Sequence, residues 1–348
     1  MSARRGGRNA GVASPSPTAT TGTRCWRRRE ATRAGRLACA APRCPDARQG
    51  NRRKRAMRIG FVGLGNMGGP MCRNLVQGVN HEVLVHDLNP EAVRACTTLG
   101  AREAGSLDAL AEGCEVIFTS LPTPRHVEAV VAEIAPRARP GTVLFDLSTN
   151  SPAVVKRLQE ALAGRGIAFL DAPVTGGVAR ALDASIVIMV GGEEALFEQH
   201  RAILASFSGT QVHVGPVGSA SVAKLVNNML VLCNMAVAAE GMMIGRMAGI
   251  DLGKLVEIIG NGSGDSFGFR GLQARALQGQ FAPSFALDLA HKDLALAVEL
   301  AAEHGVPGLM APQALALLRM ARGLGLGAED TSAMLKVYER ILGQEARL

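Results

Sequence analysis

Aromatic side chains are scarce in this chain: 3% of its 348 residues are Phe, Tyr or Trp. With 47% hydrophobic residues there is still enough apolar material for two domains of ordinary size, so their cores are expected to be aliphatic, built from Ala, Leu, Val, Ile and Met. Cysteine is present without a pattern. The seven thiols (Cys25, Cys39, Cys44, Cys72, Cys96, Cys114 and Cys233) form no C-x-x-C pair and their number is odd. That argues for free thiols in a reducing compartment, against a disulfide scaffold and against a zinc site; no metal ligand set is expected. Long apolar runs are also lacking. The longest in the second half, residues 229–239, is interrupted by Asn234 and is too short to span a bilayer. The first residues lack the apolar core of about 7–15 residues that a secretory signal needs.

The net charge of +8 is unevenly placed. Residues 1–56 hold 14 Arg and Lys54 against only Glu30 and Asp46, so the remainder is mildly acidic. The basic character therefore belongs to the first segment, and no nucleic-acid binding is expected of the folded body. Residues 1–56, with arginine runs and a Ser/Pro/Thr stretch from Ser14 to Thr21, are expected to be a disordered basic extension. Three readings of it stay open: an extension upstream of a true start at Met57, an Arg-rich organellar transit peptide, or a nucleic-acid-binding arm. The protein is accordingly expected in the cytoplasm, or in the mitochondrial matrix if the segment is a transit peptide.

From Arg58 onward, short β-rich runs alternate with helical stretches. Strands are expected at 58–62, 82–86, 116–120, 143–146, 168–171, 186–190 and 212–214. Ser151 followed by Pro152 marks a helix start between two of them. Such alternation implies an α/β fold with a parallel-rich sheet covered by helices on both faces. After Gly218 the strand signal ends. Helices are expected at 222–246, 252–259, 269–277, 287–303, 312–322 and 332–342, giving a Rossmann-like domain over 57–218 and an all-α domain over 219–348.

The run Gly63-Leu64-Gly65-Asn66-Met67-Gly68 is a G-x-G-x-x-G that follows the first strand and opens a helix. In such a turn Gly63 permits the bend, Gly65 lets backbone approach a pyrophosphate, and Gly68 lets the helix pack closely on the strand. Free N–H groups at the helix start then hold the phosphate. The second strand leads into Asp87, near the position expected of the carboxylate that binds a ribose 2′-hydroxyl. A carboxylate there repels a 2′-phosphate, so NAD is favoured over NADP, with Arg94 the one nearby cation that argues otherwise.

At this point the sequence resembles the β-hydroxyacid dehydrogenase family, which includes 3-hydroxyisobutyrate dehydrogenases and 2-hydroxy-3-oxopropionate reductases. Four segments carry the resemblance, in order: GFVGLGNMGGPM at 60–71, DAPVTGG at 171–177, GSASVAKLVNN at 218–228 and KDLALA at 292–297. It implies a Rossmann-like domain followed by an all-α domain, an active site in the cleft between them, and homodimers or homotetramers. It also implies roles for particular residues. Thr175, Gly176 and Gly177 would grip the substrate carboxylate, and Asn228 would hold the substrate or the lysine amine. Asn66, Met67, Leu121, Pro122, Thr149 and Lys292 would lie along the cofactor, and Lys224 would be the catalytic acid/base.

The chemistry suits Lys224. Lys224, Asn227 and Asn228 sit at i, i+3 and i+4 of the expected long helix, a polar stripe amid Val222, Leu225, Val226, Met229, Leu230 and Val231. Such a stripe on an otherwise buried helix implies a wet cleft. Reducing an aldehyde needs a proton delivered to the developing alkoxide, and the reverse needs a base. A lysine serves both directions once burial and a positive nicotinamide ring lower its pKa from about 10.4. The expected activity is hydride transfer between NAD(H) and a small 3-hydroxy acid or its semialdehyde, of the 3-hydroxyisobutyrate or tartronate semialdehyde type. The competing readings are a non-catalytic NAD-binding or chromatin-type scaffold and an NADPH-linked glyoxylate or succinic semialdehyde reductase. Imine reductases share the architecture but typically lack a lysine at this position, and 6-phosphogluconate dehydrogenase needs a larger helical domain. Two departures from the family pattern stand out, Ala184 and Ala220, each where glycine is usual; each adds one methyl.

Overall fold

The computed structural model describes residues 56–348; the expectation about the basic extension otherwise lies outside the described residues. Nine strands form a single sheet: β1 (Arg58–Val62), β2 (Glu82–His86), β3 (Arg102–Glu103), β4 (Val116–Thr119), β5 (Val143–Asp146), β6 (Ala168–Asp171), β7 (Val174–Thr175), β8 (Val187–Gly191) and β9 (Thr210–Gly215). Their order is β3-β2-β1-β4-β5-β6-β8-β7, with β9 also paired to β8. The first six in this order are parallel. β8 runs antiparallel to β6 and β7, and β9 runs parallel to β8. A parallel return needs a crossover of about a dozen residues or more. Between β6 and β8 the chain instead forms β7, which pairs antiparallel with β8, and a short helix.

Seven helices cover the sheet: α1 (Gly68–Gly78), α2 (Pro90–Thr97), α3 (Leu107–Gly113), α4 (Pro124–Ile134), α5 (Pro152–Ala163), α6 (Gly177–Leu182) and α7 (Glu194–Ala205). Their starts are locally encoded. The side chains of Asn89, Ser106, Thr123 and Ser151 each accept a backbone N–H of the first turn, and Pro follows three of these caps. The expectation of purely aliphatic cores needs correcting on one face of the sheet. Phe61, Phe118 and Phe145 are register partners on β1, β4 and β5, and Phe207 packs edge-on against Phe118 at 5.5 Å between ring centres. These four rings, all fully buried, give that face an aromatic layer. The opposite face is aliphatic-rich, with Ile117, Leu144 and Val155 fully buried.

The helical C-terminal domain follows: α8 (Ser219–Met247), α9 (Leu252–Asn261), α10 (Phe267–Ala274), α11 (Leu287–Glu303), α12 (Ala311–Gly323) and α13 (Leu335–Leu342). Where one helix was expected over 269–277, α10 ends at Ala274 and a separate 3-10 turn covers Ala276–Gln278. The 29-residue α8 is the one described helix long and apolar enough to cross a membrane by length and composition. Here it is the domain's central strut, packing against α10, α11, α12 and α13 and, at its start, against β8 and β9. It is not buried all round. Val226, Leu230, Val237, Ile244 and Met247 leave an exposed apolar face, which corrects the picture of an otherwise buried helix.

Candidate active site

β1 ends in the glycine turn, and each glycine is needed for a different reason. Gly63 has φ +91°, and a Cβ on it would strike the Ser120 carbonyl oxygen. A Cβ on Gly68 would strike the Gly63 carbonyl oxygen. Gly65 has no neighbour within 4 Å of its would-be Cβ. Its missing side chain is not required by packing, so it leaves open backbone at a helix start, which fits a dinucleotide pyrophosphate. Asp87, just past β2, accepts the Leu64 N–H at 2.5 Å and the Asn89 N–H at 2.7 Å. Its carboxylate therefore braces the glycine turn at the place where a ribose would lie.

At the ends of β4 and β5, polar groups tie the loops together. Asp146 is fully buried and accepts from Thr119 Oγ1, Ser148 N and Asn150 Nδ2. Burial raises its pKa against the pull of these bonds. Ser148 Oγ accepts from Leu121 N at 2.9 Å, which fixes the Leu121-Pro122 loop beside Thr149. Both loops lie at carboxyl ends of strands, where ligands bind in open α/β sheets.

β6 delivers the helical domain to this edge. Buried Asp171 accepts Gly218 N at 2.9 Å and both Ser221 N (2.8 Å) and Ser221 Oγ (2.9 Å). Gly218, the N-cap of α8, has no side chain to cap with, so Asp171 caps α8 from the sheet. Lys224 follows one turn later and is 9% exposed. Its Nζ donates to Asn228 Oδ1 at 2.9 Å; Asn228 Nδ2 donates to Asp293 Oδ2 at 2.6 Å. Asp293, 3% exposed on α11, also pairs with Lys292 at 2.8 Å, and Lys292 Nζ donates to Thr149 O at 3.0 Å. A chain of polar contacts thus runs from Lys224 through α11 to the end of β5. Burial lowers the Lys224 pKa to about 8, with the Lys292 charge helping and the Asp293 carboxylate opposing.

Thr175 on β7 accepts from Asn227 Nδ2 at 3.2 Å. Gly176 (φ +132°) and Gly177 (φ +75°) follow, and the space beside Gly177 is open. A cavity of about 290 Å³ lies between the two domains. Its walls bring together Asn66, Met67, Leu121, Pro122, Thr149, Thr175, Gly176, Gly177, Lys224, Asn228 and Lys292, eleven of the residues singled out in the sequence. Gly63, Gly65, Gly68 and Asp87 do not line this cavity; they form the glycine turn at the ends of β1 and β2. Sequence reasoning gave Asp293 no role in the site and did not find Leu232, Ser284, Phe285 or Leu289, which complete the walls. One signal was present: Asp293 stands on the buried stripe Leu287, Ala290, Leu294, Ala297 and Leu300 of α11. Among the described residues no three His, Cys, Asp or Glu side chains group as a metal site would require.

The two departures differ in kind. Ala220 sits in the ordinary first turn of α8, whereas Ala184 takes φ +57° and is the one described non-glycine residue with positive φ. Its methyl is a strain at the turn into β8, away from the cavity walls.

Comparison with known proteins agrees with this geometry. Residues 58–215 match the model of the NAD binding domain of 6-phosphogluconate dehydrogenase, and residues 218–338 match that of the NAD-binding region of NADP-dependent 3-hydroxyisobutyrate dehydrogenase. The chain is 38% identical to 2-(hydroxymethyl)glutarate dehydrogenase of Eubacterium barkeri, over 83% of this chain and 97% of that protein. It is 32% identical to human mitochondrial 3-hydroxyisobutyrate dehydrogenase over 91% and 94% of the two chains. The crystal structure of 3-hydroxyisobutyrate dehydrogenase from Salmonella typhimurium superposes with a TM-score of 0.76 at 28% identity, covering 81% of this chain and 99% of that one. The chain belongs to the β-hydroxyacid dehydrogenase family of NAD(P)-dependent oxidoreductases that act on small hydroxy acids.

Proposed function

We propose that this enzyme interconverts a small 3-hydroxy acid and its semialdehyde with NAD(H), with Lys224 as the general acid/base. The observation that carries the reading is Lys224 itself: a lysine on the cavity wall, buried, hydrogen-bonded to Asn228, with its pKa lowered to about 8. A nicotinamide cofactor, when bound, supplies or accepts the hydride. Thr175, Gly176 and Gly177 hold the substrate carboxylate. Lys224 Nζ takes the hydroxyl proton during oxidation and returns it to the alkoxide during reduction. Asn228, anchored by Asp293, fixes the amine in the cavity. Asp87 favours NAD, because a 2′-phosphate beside its carboxylate would meet like charge.

The pH dependence has a definite sign. With a folded-state pKa of about 8, the neutral amine accumulates as pH rises through that value. Oxidation therefore rises toward alkaline pH, and reduction falls over the same range. The test follows nicotinamide absorbance with 3-hydroxyisobutyrate, glycerate and 4-hydroxybutyrate, and with their aldehydes, for the native enzyme and Lys224→Ala. Native turnover that drops on the order of 100-fold or more in the variant, with NADH binding retained, supports the reading. Full activity in Lys224→Ala refutes it. The exposed apolar face of α8 suits a second copy of the chain, and we infer a homodimer or homotetramer; a monomer by light scattering at micromolar concentration contradicts that.

A further inference from the structure

The segment 281–286, which precedes α11, supplies Pro283, Ser284, Phe285 and Ala286 to one wall of the cavity. It is neither helix nor paired strand beyond a single bridge between Ala286 and Asp330. What holds it is Asp330, 2% exposed and 46 residues from Ser284. Asp330 Oδ2 accepts Ser284 N at 3.0 Å, Ser284 Oγ at 2.7 Å and Phe285 N at 3.4 Å. Its Oδ1 accepts Ser332 N and Ser332 Oγ. Thr331 completes the clamp, donating from N and Oγ1 to Phe285 O. Burial would raise the Asp330 pKa, but these hydrogen bonds hold the carboxyl below its usual value, so it remains an anionic acceptor.

The clamp has a chemical consequence for the cleft. The N–H and O–H donors of Ser284 and the N–H of Phe285 are engaged by Asp330, so these two residues have no donor left for an anion, and Pro283 has no N–H to offer. The neighbouring wall residues Val231, Leu232, Phe267 and Leu289 are apolar. The charged groups of the lining are Lys224, Lys292 and Asp293. Their sum is a single positive charge when Lys224 is protonated and zero when it is the neutral base of oxidation, so at most one substrate carboxylate is neutralised. A second carboxylate would meet the occupied donors of Ser284 and Phe285, and both lysines already hold partners in Asn228, Asp293 and Thr149. Burying a charge without a partner is strongly unfavourable.

We propose that Asp330 is a positioning residue that sets substrate selectivity: by engaging the donors of Ser284 and Phe285 it makes the 283–286 wall accept an uncharged C2 substituent and reject a second carboxylate. This rests on the 3-hydroxy acid reading above. It also departs from what identity alone would suggest, because the relative at 38% identity is named for 2-(hydroxymethyl)glutarate, a dicarboxylate.

The decisive measurement is kcat/KM with NAD for 3-hydroxyisobutyrate, glycerate and 2-(hydroxymethyl)glutarate on the native enzyme. The dicarboxylate is expected to be at least about 100-fold worse than the better monocarboxylate; a value within tenfold overturns the proposal. In Asp330→Asn, one acceptor oxygen becomes an amide NH2, so the clamp loses its acceptor toward either Ser284 and Phe285 or Ser332 and loosens. We expect KM for the monocarboxylate to rise about tenfold with kcat changed less than about threefold, and the discrimination against the dicarboxylate to fall. A folded variant with lower Tm but unchanged discrimination overturns the proposal, since that is what a purely structural role predicts. If Asp330→Asn does not fold, Leu289→Arg places a cation on the same wall and should improve the dicarboxylate relative to the monocarboxylate at least tenfold; no improvement counts against the proposal. If no hydroxy acid is oxidised at all, the activity reading fails, and calorimetry of the NADH complex decides the wall separately. Isobutyrate binding at least tenfold tighter than glutarate upholds the selectivity, and equal binding overturns it.

Discussion

Asp293→Asn tests how the cleft sets the basicity of Lys224. The substitution is nearly isosteric, and the new side-chain oxygen can still accept from Asn228 Nδ2, which lies 2.6 Å from Asp293 Oδ2. What disappears is a negative charge that opposes the lowering of the Lys224 pKa. The path from Lys224 Nζ to that carboxylate passes through one amide, with contacts of 2.9 and 2.6 Å on either side. That places the charges roughly 7 Å apart, and at an effective dielectric constant of about 20 their attraction is about 2 kcal/mol. One pH unit corresponds to about 1.4 kcal/mol, so losing it lowers the Lys224 pKa by roughly one to one and a half units. The assay is the pH profile of kcat/KM for the hydroxy acid at saturating nicotinamide, which reports the form of the enzyme that meets the substrate. The ascending limb of oxidation should move from near pH 8 in the native enzyme toward pH 7 in the variant. A limb that stays in place or moves upward in an active variant would refute the electrostatic account of Lys224.

Gly65→Ala should leave Tm nearly unchanged but weaken NADH binding measured by fluorescence titration, because the would-be Cβ meets no protein atom. Gly68→Ala should instead unfold at lower temperature, since its Cβ collides with the Gly63 carbonyl. Ala184→Gly relieves a left-handed alanine and should raise stability by about 1 kcal/mol in denaturant titrations, with kinetics unchanged. Asp87→Ser removes the carboxylate that repels a 2′-phosphate, so the ratio of kcat/KM for NAD over NADP should fall at least about tenfold; an unchanged ratio would mean that Asp87 does not read the ribose.

What could be read from the sequence was the part whose physical cause is local. The glycine turn is visible because a positive φ at Gly63 and the close approach at Gly68 forbid other residues at fixed spacing. The capped helix start at Ser151 follows from a side chain within three residues of the backbone N–H it accepts. Strands β3 and β7 escaped because two residues make no period, and they exist only because β2 and β8 offer them a partner. The pairing of Phe61, Phe118 and Phe145 depends on register between strands far apart in sequence, so a low aromatic count gave no hint of a shared aromatic core.

The aspartates show most clearly where local reading ends. Asp171, Asp293 and Asp330 all look like polar residues beside apolar ones, and each is buried because donors arrive from elsewhere. Asp171 meets Gly218 and Ser221 from 47 and 50 residues away, Asp293 meets Asn228 from 65, and Asp330 meets Ser284 from 46. An isolated carboxylate cannot remain charged in such surroundings without those donors, so each bond is both a condition of folding and a constraint on the cleft. Asp171 fixes where α8 begins and hence where Lys224 stands. Asp293 fixes Asn228 and tunes that lysine, while Asp330 fixes the wall built by residues 283–286. The chemistry-bearing residues were legible as types, but their geometry is set by three carboxylates whose partners only the fold supplies.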